Sequence, residues 1–250
     1  YAPTRDNTNP SGTGDWGGVA YGGVQLDLSG FPTQVDTGSN QAPSTLGQWH
    51  VIPDHMTITK DGTVHIVDQN RKGDGSGAYP YNDTLIYVKG VWDTASNNFN
   101  YQRKLLHIPM SERATSGIAR IADIKLAYAD NGNDGYMTIV GHNDYNFRPD
   151  STYYLIIYQT NDGGDTWTGP TNLLVDRCGD VGTISATQTS NGRFTTAFEH
   201  ASVVDSAGNI HILVGVGRQP VSQGGVPAGW SIVAAPVSYT HLRAHETNSN

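Results

Sequence analysis

Three segments of this chain share one pattern: an apolar strand-like stretch, a tight turn containing Asp and Gly, and a second apolar stretch. Their turn glycines are Gly62, Gly135 and Gly208, so successive turns are 73 residues apart. Apolar segments joined by a short Asp/Asn-Gly turn are typical of a β-hairpin. A long fixed period with one such unit per copy indicates stacked structural repeats.

Further apolar segments extend the first two hairpins to four strands each. Residues 84–88 and 154–158 supply a third strand, and a fourth segment ends at His107 in one copy and at Val175 in the other. Four antiparallel strands per repeat are typical of a propeller blade. The predicted fold is therefore all-β, a partial β-propeller of about three four-stranded antiparallel blades with a 73-residue repeat.

The predicted blades span residues 48–115, 116–192 and 193–236, the last of them truncated. Residues 1–47 are rich in Gly, Ser, Asn, Thr and Pro, and they form either the outer strands of a preceding blade or a linker. Residues 237–250 break the blade pattern. Because residues 237–247 match one reading frame of a transposase sequencing adapter, we expect this tail to be an adapter-derived artefact, which excludes it from site predictions.

Composition restricts the function classes. The formal net charge of −8 argues against a nucleic-acid partner, which normally requires a basic face. The single cysteine, Cys178, allows no intrachain disulfide, and no apolar run has membrane-spanning length, so we expect no membrane insertion. Few lysines with many Asn, Gly, Thr and Tyr residues favour a secreted or surface-exposed bacterial protein. No signal peptide is visible, and the chain starts at Tyr1 without a methionine.

Residues 160–167 combine a buried-strand end, an Asn-Asp-Gly-Gly turn and a tryptophan. Glycines 163 and 164 can adopt positive φ at little cost, and the Asp162 carboxylate can accept hydrogen bonds from the turn. The set Thr160, Asp162, Gly164 and Trp167 resembles the Asp-box, the bacterial neuraminidase repeat of sialidase-like β-propellers. This resemblance implies a hairpin staple away from the active site. Because blades close into rings of about 4–8 and only about three are present here, and because of the adapter-like tail, we expect the chain to be a truncated metagenomic fragment of such a propeller.

In such propellers the site lies on the face opposite the tight turns, around the central channel. First strands begin there, and the loops from second to third strands lie there too. Acid, imidazole and guanidinium side chains recur at these places, with one tyrosine among them. They are His55, Arg71, Asp123, His142, Tyr145, Arg148, Glu199, His200 and Arg218.

These residues divide into two predicted roles. The catalytic candidates are His142, His200, Tyr145 and His55, because imidazoles with a pKa near neutrality can move protons. The substrate-binding candidates are Arg71, Arg148, Arg218, Asp123 and Glu199, because arginine binds carboxylates through paired hydrogen bonds.

Each assignment has a structural alternative. The histidines at strand starts could have a purely structural role, as hydrogen-bond partners of the neighbouring backbone. The arginines could be ordinary ion-pair partners. His65 and His211 are aligned with Thr138 by the 73-residue period, and we expect them to pack between blades. The 130–135 segment resembles a calcium loop but lacks an oxygen ligand at its third position and a terminal glutamate, so a plain turn is favoured. We therefore expect no cofactor and no metal site, with calcium as a minor alternative.

Three functions remain open. A sialidase should carry an Arg-Ile-Pro arginine, but the Ile-Pro pairs here follow Val51 and His107. A polysaccharide lyase that cleaves uronates by β-elimination would need a base (His142 or His200), a carboxylate neutraliser (Arg148 or Arg218) and an acid such as Tyr145. The third function is a non-catalytic module for carbohydrate binding or surface adhesion. In each case the expected partner is an extracellular glycan, and we expect the full-length protein to be a monomer.

Overall fold

A computed structural model describes residues 2–5, 16–26, 32–39, 55–71, 81–96, 98–107, 121–141, 154–173, 194–218 and 237–242. Within these ranges every regular element is a β-strand and none is a helix. The prediction of an all-β chain is confirmed for this part of the molecule. No helix long and apolar enough to cross a membrane occurs in the described ranges.

The strands form antiparallel sheets in which each strand pairs with its neighbour in sequence. Two sheets have four strands, as the sequence predicts for a repeat of four. Strands β1 to β7 belong to one compact unit, and β8 to β14 belong to a second. In the first unit the strands are β1 (Ala2–Arg5), β2 (Trp16–Leu26) and β3 (Pro32–Ser39) in one sheet, and β4 (His55–Ile58), β5 (Val64–Arg71), β6 (Tyr81–Asp93) and β7 (Asn98–His107) in the other.

The second unit has the same kind of organisation. Its four-stranded sheet is followed by a three-stranded one, whose strands β12 and β13 form the third predicted hairpin. The strands are β8 (Ile121–Tyr128), β9 (Gly135–Gly141), β10 (Tyr154–Thr160) and β11 (Thr168–Leu173), and then β12 (Phe194–Val204), β13 (Ile210–Arg218) and β14 (Val237–Leu242).

Strand β14 lies within the tail that we expect to be adapter-derived. Its backbone pairs with β13, with Val237 opposite Gly215 and Leu242 opposite Ile210. The tail therefore takes the place of a third strand, although its match to an adapter excludes it from the predicted fold. Its origin stays a prediction.

The three hairpin turns are closed in the same way, but one turn glycine differs from the prediction. Positive φ occurs at Gly62 (87°), Gly132 (69°) and Gly208 (82°). Each of these glycines donates its backbone N–H to the carbonyl oxygen three residues earlier, at 2.9, 2.9 and 3.0 Å. Gly135 is instead the first residue of β9, so the successive turns are 70 and 76 residues apart rather than 73.

Because the turn glycine of the second hairpin is Gly132 and not Gly135, the residues of this hairpin that are equivalent to those of the other two also change. The pairs that close the hairpins are Ile58 with Val64, Tyr128 with Gly135, and Val204 with Ile210. The next residue along each second strand is therefore His65, Tyr136 or His211. The prediction that Thr138 takes this position in the second copy is wrong, because Thr138 lies two residues further along β9.

The central strands of both four-stranded sheets are buried. All of β9 is buried, and so are residues 155–158 of β10, which shows that this sheet is covered on both faces. Burial of β-branched and aliphatic side chains on a pleated surface is the main source of stability for such strands. The largest buried apolar side chains of the second unit are Ile124, Leu126, Met137, Ile139, Leu155, Ile156 and Ile210.

The 160–167 turn joins β10 to β11, the third and fourth strands of its sheet. Gly163 and Gly164 have φ of 64° and 87°, as the turn chemistry predicts. The Asp162 Oδ1 accepts hydrogen bonds from the Thr160 hydroxyl (2.8 Å) and from the Thr166 backbone N–H (2.8 Å). Hydrogen bonds from Thr166, first its hydroxyl and then its N–H, lower the pKa of Asp162 to about 2.

The turn is also tied to its own sheet. The Gly163 N–H donates to the Asn133 carbonyl oxygen in the β8–β9 turn, at 2.9 Å. Trp167 packs edge-on against Tyr128 of β8, with ring centroids 6.5 Å apart. Both tight turns of this sheet therefore lie at one end, and the start of β8 and the end of β9 lie at the other, as predicted.

Candidate functional site

A buried polar contact joins the two sheets of the second unit. The backbone N–H of His200, in β12, donates to Asp123 Oδ2, in β8, at 2.9 Å. Both residues lie next to an irregularity in their strands, between Ile121 and Asp123 in β8 and between Thr196 and His200 in β12. A β-bulge leaves a backbone group unpaired within its own ladder. The Asp123 carboxylate therefore supplies an acceptor from the neighbouring sheet.

The His200 ring contacts the same carboxylate. Its Nδ1 lies 2.9 Å from Asp123 Oδ2, an ion-pair distance, although the direction is not that of a hydrogen bond. The other carboxylate oxygen, Oδ1, accepts from Lys125 Nζ at 2.5 Å. Asp123 is thus held between a backbone donor, an imidazole and an ammonium group.

These contacts set the charge state of Asp123. Burial raises its pKa, but the His200 side chain, the Lys125 ammonium and the His200 N–H lower it more, and the pKa falls to about 2. Asp123 is consequently ionised at neutral pH. A buried carboxylate that stays charged needs partners of this kind, because desolvation alone would favour its neutral form.

The far side of the His200 ring contacts β9. Its Nε2 lies 2.7 Å from the Thr138 hydroxyl, which donates in turn to the Ser202 hydroxyl at 3.2 Å. Carboxylate, imidazole and hydroxyl follow one another as they do in a hydrolase triad. However, Thr138 is 0% exposed and His200 is buried. In this arrangement the three groups hold two sheets together, and no nucleophile is presented at the surface.

A second contact between the same sheets lies near the tight turns. The Tyr136 hydroxyl, at the start of β9, donates to the Gly208 carbonyl oxygen in the β12–β13 turn at 3.1 Å. Burial, followed by the nearby carboxylates of Asp134 and Asp205, raises the pKa of Tyr136, so it stays a neutral donor. The contact of Asp123 with His200 lies further from the tight turns of both hairpins. The two hairpins therefore point in the same direction, with their tight turns at the same end.

The common direction of the two hairpins shows on which side of the second unit the strand ends with predicted site residues lie. Strands β9 and β13 both end on the side of the unit away from the tight turns. Gly141 ends β9 and is followed directly in sequence by His142, and Arg218 is the last residue of β13. In the first unit, Arg71 is likewise the last residue of β5. The second strand of each hairpin therefore ends at, or immediately before, a basic or imidazole residue.

The other predicted site residues are distributed as follows. His142, Tyr145 and Arg148 lie outside the described residues, so their roles stay predictions. The strand backbone of Arg71 and Arg218 is described, but their side chains are not. Asp123 and His200 are brought together, and Glu199 is exposed beside them.

His55 and His200 are not at equivalent positions. His55 is half-buried and lies opposite Val67, whereas His200 lies opposite Val214. The closing pairs of the two hairpins define their equivalent positions. By this count His55 is equivalent to Ala201, the residue after His200. Because successive residues of a strand face opposite sides of the sheet, His55 and His200 lie on opposite faces. The expected recurrence of histidine at one place in successive blades is therefore offset by one residue.

The two mid-strand histidines have local partners. His65 is fully buried, and its Nδ1 lies 2.7 Å from the Tyr87 hydroxyl of the adjacent strand β6. His211 Nε2 lies 3.0 Å from Asp205 Oδ2, in the turn that precedes β13. The bond with His211 is the first cause of the lowered pKa of Asp205. Both of these contacts are made within one sheet, and the packing of the two histidines between blades stays a prediction.

The 130–135 segment is a turn closed by its own side chains. Asn131 Oδ1 accepts from the backbone N–H groups of Asn133 and Asp134, and Asn131 Nδ2 donates to Asp134 Oδ2 at 2.6 Å. Carboxylate and amide oxygens that would otherwise serve calcium are engaged here. No group of three or more His, Cys, Asp or Glu residues suited to a metal ion occurs among the described residues.

Comparison with known proteins adds no relative. No model of a known protein family matches this chain, and a search of curated proteins finds no match.

The sequence does not reveal that Thr138, Lys125 and Ser202 surround the Asp123–His200 pair. Lys125 follows Asp123 by two residues on one strand and so shares its face, which was a usable signal. Ser202 follows His200 by two residues on β12 and shares its face in the same way. Thr138 reaches His200 only through the packing of two sheets, and no local pattern marks it.

Proposed function

We propose that this protein is a secreted or surface-exposed bacterial propeller-like repeat protein that recognises acidic extracellular glycans. The binding region is the end of the second unit at which β9 and β13 finish. The observation that carries this proposal is the common direction of the two hairpins, which brings Gly141, the last residue of β9, and Arg218, the last residue of β13, to the same end.

Arg218, which ends β13, and the residues that follow β9 in sequence suit a carboxylated or sulfated sugar. Arg218 and Arg148 can each form paired hydrogen bonds to a planar anion. His142, Asn143 and Tyr145 add donors, acceptors and an aromatic ring in the segment after β9. A protein of net charge −8 then requires a local cationic site, because its overall field repels a polyanion.

Catalysis by β-elimination is the second candidate. It is favoured by the spacing of His142, Tyr145 and Arg148, which follow one another within one short segment after β9. Arg148 would neutralise the uronate carboxylate, and His142 would take the proton on the adjacent carbon. The glycosidic C–O bond then breaks, Tyr145 protonates the leaving oxygen, and the product carries a new C=C bond. No metal or other cofactor enters this step.

Binding and turnover can be separated in one set of assays. The chain is titrated with a polyuronate, a sialoside and a neutral glucan by calorimetry, and absorbance of the unsaturated product is followed with the polyuronate. Polyuronate binding is expected to be at least tenfold tighter than glucan binding. Equal affinity for the two polymers contradicts the proposal.

Variants assign the site. Arg148→Gln and Arg218→Gln are each expected to weaken polyuronate binding about tenfold, which corresponds to about 1.4 kcal/mol. Lys60→Gln is the matched control, because Lys60 is exposed in the β4–β5 turn, at the tight-turn end of its sheet. Loss of turnover in His142→Ala with binding retained supports the lyase, whereas binding without turnover in the parent chain identifies a non-catalytic module. A control variant as weak as the arginine variants contradicts the assigned site.

A further inference from the structure

The β12–β13 hairpin has one buried and one exposed face. Ile210, Ile212 and Val214 point into the second unit and are at most 2% exposed. On the opposite face, Ala201 lies across from Leu213 and Val203 lies across from His211. Val203 is 62% exposed and Leu213 is 49% exposed. Because these two side chains are diagonal neighbours on adjacent strands, they form one apolar surface, here called the acceptor face.

The equivalent face of the preceding hairpin is covered. By the closing pairs, Tyr136 corresponds to His211 and Thr138 corresponds to Leu213. Tyr136 and Thr138 both receive contacts from the β12–β13 hairpin, through Gly208 and His200 respectively. In this fold, therefore, the face that Val203 and Leu213 occupy is the one on which another hairpin of the same kind packs.

The chain also exposes part of the complementary face. The side of β12–β13 that packs inward carries Ser202, Val204, Ile210 and Ile212, and the corresponding residues of β4–β5 are Met56, Ile58, Val64 and Ile66. In β4, Met56 is 39% exposed and Ile58 is 60% exposed, whereas Ile66 in β5 is 4% exposed and packs with Ile86 and Val88. We call the exposed part, Met56 and Ile58, the donor face.

We propose that two copies of this chain associate head to tail, with the donor face of one copy packed on the acceptor face of the next. The contact repeats the part of the packing between β8–β9 and β12–β13 that β12 makes within the second unit, with Met56 and Ile58 in the places of Ser202 and Val204. The two surfaces differ, so the interface is heterologous, and a pair of copies keeps one free donor face and one free acceptor face for further copies. The expectation that the full-length protein is a monomer assumes a complete ring of blades. In such a ring, a neighbouring blade covers each donor face and each acceptor face.

The proposal is independent of glycan binding, and sedimentation velocity tests it. The 250-residue chain is expected to show dimers and higher species that increase with concentration between about 1 and 200 μM, a range in which moderately apolar interfaces associate. Leu213→Lys removes the acceptor face, and Ile58→Lys removes the donor face. Each variant alone is expected to be monomeric over the same range.

Mixing the two variants is the decisive arm. Leu213→Lys retains the donor face and Ile58→Lys retains the acceptor face, so an equimolar mixture is expected to form dimers but nothing larger. Val91→Lys is the control, because Val91 is 43% exposed on the opposite face of the β4–β7 sheet and should not alter association. If Leu213→Lys misfolds by circular dichroism, Val203→Lys replaces it. A monomeric parent chain, variants that still associate, or a mixture that stays monomeric would each overturn the proposal.

Discussion

The carboxylate of Asp123 accepts the backbone N–H of His200 at 2.9 Å, across two sheets and 77 residues of chain. The same oxygen, Oδ2, also lies close to His200 Nδ1, and the other oxygen, Oδ1, accepts a hydrogen bond from Lys125 Nζ. This contact meets the unpaired backbone at a bulge in β12 and fixes the direction of one hairpin against the next. It therefore determines which strand ends lie together in the second unit.

Replacing Asp123 by asparagine should destabilise the protein. The amide keeps the size of the carboxylate but places an NH2 group toward either Lys125 or His200, and it removes the negative charge between them. A loss of about 2 kcal/mol in the free energy of unfolding is expected, measured by urea denaturation. Asp130→Asn is the control, because Asp130 is exposed and its replacement should stay within about 0.5 kcal/mol. Equal stability of the two variants would contradict the contact.

Acid should weaken the same contact. The pKa of Asp123 is lowered from its ordinary value of 3.8 to about 2 in the folded protein, so its contribution is fully present above about pH 4. The contribution, about 2 kcal/mol by proton linkage, is lost as the pH falls from about 4 to about 2. The stability difference between the parent chain and Asp123→Asn should therefore shrink over this interval. A difference that is constant from pH 6 to pH 2 rules out this linkage.

The β10–β11 hairpin can be tested through Gly169, which has φ of 147°. A Cβ at this position would lie 2.9 Å from the Ile157 carbonyl oxygen and 2.8 Å from the Tyr158 ring. Gly169→Ala is expected to cost about 3 kcal/mol, because a backbone atom cannot move aside cheaply. Gly62→Ala is the matched control. Gly62 also has positive φ but has open space around it, so about 1 kcal/mol is expected. Equal thermal shifts for the two variants would argue against the close approach.

The contact near the tight turns predicts a smaller effect. Tyr136→Phe removes the hydroxyl that donates to the Gly208 carbonyl oxygen and leaves the ring packing intact. A loss of about 1 kcal/mol is expected. The Gly208 amide region should also shift in an NMR spectrum, whereas the Gly62 region, in the first unit, should not. Unchanged Gly208 resonances would show that the two hairpins are not joined at this end.

Local patterns predict much of this fold. Alternating apolar segments around Asp-Gly turns predict the hairpins, and the glycines at 163 and 164 adopt the positive φ that their turn requires. The arrangement of both tight turns at one end of the β8–β11 sheet also follows from the order of strands. These features depend on residues close together in sequence, so one sequence is sufficient to predict them.

The repeat register was less predictable. The 130–135 segment contains two glycines, and a constant period selected Gly135, but Gly132 adopts the turn conformation. Gly135 begins β9 because the Tyr128 ring packs over it, at the place where a Cβ would lie 2.5 Å from ring atoms. This packing lies within the hairpin, between the two residues of its closing pair, and a constant repeat period does not reveal it. The resulting offset also displaced the predicted equivalence of Thr138 with the two mid-strand histidines.

The candidate site was predictable in its residues but not in their arrangement. Asp123 and His200 were both selected because acidic and imidazole side chains recur where first strands begin. Their burial in one contact between sheets depends on bulges in β8 and β12, and bulge positions are not encoded in residue types alone. His142, Tyr145 and Arg148 remain predicted site residues in the segment that follows β9.

A double-mutant cycle on Asp123 and His200 is the most direct test of the contact between the two sheets of the second unit. The parent chain, Asp123→Asn, His200→Gln and the double variant are compared by urea denaturation at pH 7. A coupling free energy of about 1–3 kcal/mol is expected, because each side chain loses much of its value once its partner is gone. Additive losses, within about 0.5 kcal/mol, would contradict the contact of the Asp123 carboxylate with the His200 ring, which accompanies the His200 N–H bond between the sheets.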